Sequence, residues 1–204
     1  MRLTILPLLV AFAVSAKAAS ITATNIDFTL TNPVVNSTGT LYAVNSGYVA
    51  IGVFSSLSDS AIASLNSASS FEAAFTQFGT SSTFGSGFGI AGTYQFETTA
   101  GIPSGSTYSG PIYTVIGNAA TLADSTQFLV FKENVNFNTD PGASGPAVLK
   151  NGSGTLIIGN YNTFTADIGA GNVGAFSTVS LVPEPSVTLL GVLGCLALLR
   201  RRRN

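Results

Sequence analysis

From Asn134 to Asp140 a polar side chain recurs at every second residue, with Asn134, Asn136, Asn138 and Asp140 on one face of an extended segment, Val135 and Phe137 on the other and Glu133 alongside. Side-chain oxygens at every second residue suit calcium, a hard ion that takes oxygen ligands and is bound weakly by many extracellular modules. The spacing matches part of an EF-hand loop, but the glycine after the third ligand and the closing glutamate are missing. A strand with a solvated amide face accounts for the same alternation. Calcium is therefore the one candidate cofactor, with a wet strand as its alternative.

Other chemistries fall to absences. The chain has no histidine, and its only cysteine is Cys195, nine residues from the C-terminus. Ser-His-Asp and Cys-His mechanisms are excluded, and zinc lacks its usual ligands. A Ser-Lys pair stays formally open through Lys132 or Lys150. A carboxylate hydrolase stays open through a pair such as Asp124 and Glu133, although no tryptophan is present to stack on a sugar ring. Gly87, Gly89 and Gly92 spell G-x-G-x-x-G, but Thr93-Tyr94-Gln95-Phe96 follows as a strand, whereas the dinucleotide fingerprint needs a helix there. It reads as a glycine loop.

The last 22 residues carry a different kind of signal. Pro183-Glu184-Pro185 is rigid, because each proline fixes its own φ and pushes its predecessor into extended geometry. Val187 to Leu199 follows without a charge, and Arg200, Arg201, Arg202 and Arg203 come next. As a helix, that run of 13 residues spans about 20 Å, against a hydrocarbon core of about 30 Å. It suits a temporary anchor better than a permanent one. The arginines favour the cytoplasmic side, which places the preceding residues across the membrane. Cys195 reads as a small apolar residue of this run.

Val182-Pro183-Glu184-Pro185-Ser186, the short apolar helix and the arginine cluster together resemble the PEP-CTERM sorting signal of Gram-negative exported proteins. The resemblance covers residues 182–204, about a tenth of the chain. It implies recognition by an exosortase, a membrane protease or transpeptidase acting near the Pro-Glu-Pro motif. It also implies an inner-membrane intermediate, then release to the outer surface or extracellular matrix, and an association with exopolysaccharide and biofilm. It assigns an address rather than an activity.

The other end agrees. Arg2, the apolar run Leu3 to Val14 and the A-x-A site Ala16-Lys17-Ala18 make residues 1–18 a secretory signal peptide, with cleavage expected before Ala19. Between the two ends, residues 19–182 form one domain-sized stretch holding eight acids but only Lys132 and Lys150 as bases. A net charge near −6 with no basic cluster excludes a nucleic-acid partner. Charged residues are only 8% of the chain, and Ser, Thr, Asn and Gly take their place. That composition suits a β domain wetted by hydroxyls rather than ions.

The elements expected to position these residues are mostly strands. Ile26–Leu30, Leu41–Val44 and Tyr48–Phe54 read as strands, the last two as a hairpin around Asn45-Ser46-Gly47. Further strands are expected over Tyr94–Glu97, Ile112–Ile116, Gln127–Lys132, Thr155–Ile158 and Phe176–Leu181. One amphipathic helix interrupts them, with Ser69 and Glu72 as a capping box, Phe71, Phe75 and Phe78 as its apolar stripe and Gly79 as its stop; a weaker helical turn precedes it at Asp59–Leu65. The expected fold is a mostly β single domain, a β-sandwich or β-roll with one short helix, flanked by the signal peptide and a tail at 183–204. The expected role is that of a non-catalytic surface or matrix protein, the alternatives being a glycan- or calcium-binding module and a carboxylate hydrolase.

Overall fold

The computed structural model describes residues 17–26, 32–102, 108, 110–137, 145–169 and 171–181. In chain order its elements are β1 (Lys17–Thr24), β2 (Val34–Val35), β3 (Tyr48–Phe54), α1 (Asp59–Ala63), α2 (Ala68–Ala74), β4 (Phe75–Gln77), β5 (Gln95–Ile102) and β6 (Gly110–Gly117). Then come β7 (Gln127–Phe137), β8 (Ala147–Val148), β9 (Gly154–Ile158), β10 (Asn160–Asp167), β11 (Asn172–Ser177) and β12 (Val179–Ser180). The described residues are mostly β, in three sheets ordered β5-β1-β8, β10-β11-β2 and β12-β7-β6-β3-β4, with β9 also paired to β7.

The largest sheet is buried on both faces at its centre, which explains why β3 reads YVAIGVF with no polar alternation. Val49, Ile51 and Val53 join a core shared with Ala19, Ile21 and Ala23 of β1 and Phe176 of β11. Tyr48, Ala50 and Phe54 point the other way, into a second cluster closed by Ile62 of α1 and Phe71 of α2. Phe71 stacks on Phe128 at 4.6 Å and meets Phe54 edge-on at 6.2 Å.

Several expectations are corrected. Among the described residues there are two helices: α1 forms where the helical turn at Asp59–Leu65 is expected, while the capping box of α2 is formed by Ser67 and Ser70, not Ser69 and Glu72. The helix stops at Ala74 because Phe75 is already extended (φ −94°, ψ 122°) and pairs with Phe54, giving the backbone of β3 a partner. Phe75 and Phe78 are therefore buried by strand geometry, on opposite sides of the sheet. Gly79 follows β4 rather than ending a helix; its φ is +62°, and a Cβ there would meet the Thr98 hydroxyl at 2.1 Å.

The expected hairpin is also replaced. β3 pairs with β6 and β4, and the turn at Asn45 (φ 62°) and Gly47 (φ 70°) bonds to Phe84 instead, through Asn45 N–H to its carbonyl at 2.8 Å. β10 was not expected: its Asn/Thr-rich face is mostly exposed, and an irregularity between Tyr161 and Phe164 hides its period. β1 runs through the expected cleavage point, with Ala18 opposite Gly101 and Ala19 opposite Ala100. Of the expected strand at Ile26–Leu30, residues 27–30 lie outside the described residues.

Candidate functional site

A cleft of about 690 Å³ opens where β3 ends and α1 begins. The turn Ser55-Ser56, with Ser56 at φ 64°, carries the chain off the sheet. Ser58 then caps α1, its hydroxyl accepting from Ala61 N–H at 3.2 Å, which sets Asp59 at the first helical position. Across the sheet, Tyr113 of β6 lies directly opposite Lys132 of β7, so both side chains share the face that α1 covers. The Lys132 ammonium donates to both Asp59 oxygens at 3.1 Å, and the Tyr113 hydroxyl donates to Asp59 Oδ1 at 3.3 Å. Burial, then the Asp59 charge and its hydrogen bond, push the Tyr113 phenol up to about 12.

The side chains of Lys132 and Asp59 are 31% and 43% exposed, so their ion pair adds at most about 1 kcal/mol to stability. Its chemistry is that of a neutralised polar patch, with donors and acceptors interleaved along Ser55–Ser60. Lys132 is engaged as a cation, and Ser58 is committed to capping and to Ser60 at 3.0 Å. The cleft thus gives no support to a Ser-Lys nucleophile. No local pattern joins Lys132 to Asp59, which lies 73 residues away; only the strand register and the seating of α1 bring them together.

A second cleft of about 650 Å³ lies beside α2 and is lined by Tyr48, Ser69, Glu72 and Gln77 among others. The Tyr48 hydroxyl donates to Gln77 Oε1 at 2.5 Å. Burial first, then the charge of Glu72, raises the Tyr48 phenol to about 12.

Glu133 points away from both clefts, into the core. It is 5% exposed and accepts from the Thr114 hydroxyl at 2.5 Å. Burial raises its carboxyl to about 7, partly offset by the Thr114 hydroxyl and the Val148 backbone N–H. Tyr94 is fully buried in the same core, where burial first and then the Glu133 charge push its phenol well up, partly offset by the Thr114 hydroxyl. Asp124 is exposed in the loop before β7, accepting from the Thr121 hydroxyl at 2.6 Å. Glu133 sits six residues inside β7 from Gln127, about 20 Å along the strand. That separation exceeds the spacing of either glycosidase geometry, so the two carboxylates do not form a pair.

Of the asparagine row, Asn134 and Asn136 are exposed on β7 opposite half-buried Val135 and buried Phe137, the expected alternation. Asn138 and Asp140 lie outside the described residues, and among the described residues no group of three or more acidic side chains is placed to hold a metal. With Glu133 turned inward, the row lacks its neighbouring carboxylate. Millimolar calcium is expected to leave the melting temperature unchanged; a rise that Asp140→Ala abolishes would restore the calcium reading.

Gly87, Gly89 and Gly92 all have positive φ and lie in turns ahead of β5, so the glycine loop is followed by a strand, as expected. Ala16 and the whole of Pro183, Glu184, Pro185 and Arg200 to Arg203 lie outside the described residues, and among the described residues no helix is long and apolar enough to cross a membrane. No protein family, characterised protein or solved structure matches this chain.

Proposed function

We propose that this chain is an exported, non-catalytic surface or extracellular-matrix protein, a β-sandwich delivered through the inner membrane and released by an exosortase-type protease. The observation that carries the reading is the coincidence, in the last 22 residues, of a rigid Pro-Glu-Pro, an apolar run too short for a lasting anchor and four consecutive arginines. The last described hydrogen bond is Leu181 N–H to the Thr126 carbonyl, two residues before Pro183 in the sequence. The sandwich reading rests on the shared core between β1 of one sheet and the inner face of the six-stranded sheet.

Glu184→Ala removes the only charge of the tripeptide and leaves the apolar run intact. In the native host it is expected to leave uncut precursor in the membrane fraction. Deleting Arg200 to Arg203 is expected to misorient the tail instead. Unchanged release of both variants would reject processing at this motif.

The cleft at Asp59, Tyr113 and Lys132 favours a second reading, a module that binds uncharged glycan, because its charges cancel and its rim is hydroxyl-rich. A glycan array with wild-type protein and Lys132→Ala tests it. Binding lost in the variant supports the module, and no binding by either leaves the matrix role alone.

A further inference from the structure

Among the described residues two large apolar side chains are conspicuously exposed, Phe88 at 55% and Val44 at 41%. They stand on two loops that touch at Gly85 and Val44. A Cβ on Gly85 would meet Val44 Cγ1 at 2.6 Å, and Gly89 N–H closes a turn on the Gly85 carbonyl at 2.7 Å with Phe88 at its crest. Gly87 and Gly89, at φ +86° and +68°, hold Phe88 out between them.

These loops stand at one particular end of the six-stranded sheet. Tyr48, which opens β3, is opposite Gly117, the last residue of β6, and Gly117 is opposite Phe128 near the start of β7. Ser180 of β12 pairs with Gln127, so Leu181, the last described residue, lies at this same end. The Tyr42 hydroxyl, two residues before Val44, lies 2.9 Å from Thr178 Oγ1 and ties the two regions together. In the sheet β12 and β3 are three strand spacings apart, about 14 Å. Five residues separate Leu181 from the apolar run at Val187, six steps of chain with a reach of at most about 22 Å.

We propose that, while the chain is held by Val187–Leu199, this end of the domain rests on the lipid bilayer, with Phe88 and Val44 dipping into the headgroup layer. The proposal rests on the reading of the tail as a membrane segment. Two side chains are far too small a patch for a stable protein interface, which needs about 1,000 Å². They suffice for a surface that the tether already keeps close, because tethering replaces intrinsic affinity with a high local concentration. Residues 28–58 and 73–96 contain no charge, and Asp124 is the exposed charged side chain in the adjacent β6–β7 loop. Docking is therefore apolar, indifferent to salt, and directed at zwitterionic lipid as readily as anionic.

The chain has no tryptophan, so one introduced indole reports alone. Full-length Phe88→Trp, Val44→Trp and, at the opposite end of β3, Ser55→Trp are reconstituted into phosphatidylcholine vesicles with and without brominated acyl chains. The expected result is co-flotation of all three, with blue-shifted emission at 88 and 44 that brominated lipid cuts by about twofold, and a water-like, unquenched signal at 55. Co-flotation with a water-like signal at 88 overturns the docking alone. Failure to float overturns the membrane reading of the tail and the docking with it. A blue shift that grows with protein concentration but ignores brominated lipid overturns the bilayer in favour of a second copy of the chain.

Discussion

Raising the pH through about 7 is expected to destabilise this protein, and Glu133→Gln is expected to remove most of that loss. Burial lifts the Glu133 carboxyl from 4.5 to about 7, so the folded chain holds this proton more tightly than the unfolded chain does. The stability it confers is fully present below 4.5 and disappears as the pH rises through about 7. The difference amounts to on the order of 3 kcal/mol, or roughly 6–12 °C in melting temperature for a chain of this size. Glutamine keeps the acceptor for Thr114 but cannot ionise. Thermal melts across this range should show a sloping profile for wild type and a flat one for the variant, the two meeting in acid. Parallel profiles would place Glu133 in water.

Phe71→Ala is expected to cost about 3–5 kcal/mol, as for other large-to-small changes at fully buried aromatic positions, lowering the melting temperature by roughly 6–20 °C. α2 is only seven residues long, too short to persist without tertiary packing. Phe71 is its buried contact, seated between Phe128 and Phe54, and its loss leaves a cavity against the six-stranded sheet. Both clefts border this layer, so near-ultraviolet circular dichroism should report loosened aromatic packing. Loss of under about 1 kcal/mol would mean that α2 does not seat on the sheet.

β3 and β7 were legible because runs of β-branched and aromatic residues such as Tyr48–Phe54 and Gln127–Lys132 leave little else for the backbone to do, whereas the eight-residue β1 and β10 lack such runs and were not. Strands of two or three residues, β2, β4, β8 and β12, carry too few side chains for a period to register. Phe71, Phe75 and Phe78 fit a helical stripe and a helix-to-strand switch equally well; the open edge of β3 decides between them, and that edge is not local information. The same limit hid the site. Glu133 sits between Lys132 and Asn134 and reads as part of a wet face, yet strand alternation turns it inward onto Thr114. The meeting of Asp59 with Lys132 depends on the register of β6 against β7 and on the seating of α1. Local chemistry did reveal the glycine loop, but not that Phe88 protrudes from it at the same end of the sheet as Leu181.

Where the mature chain ends decides whether the tail is a processed sorting signal. Mass spectrometry of the protein recovered outside the native host's cells reads this directly. The expected C-terminus lies at or near Pro183-Glu184-Pro185, with the apolar run and the arginines gone. Extracellular protein still carrying Leu189 to Arg203 would contradict the account and make the segment a short anchor only.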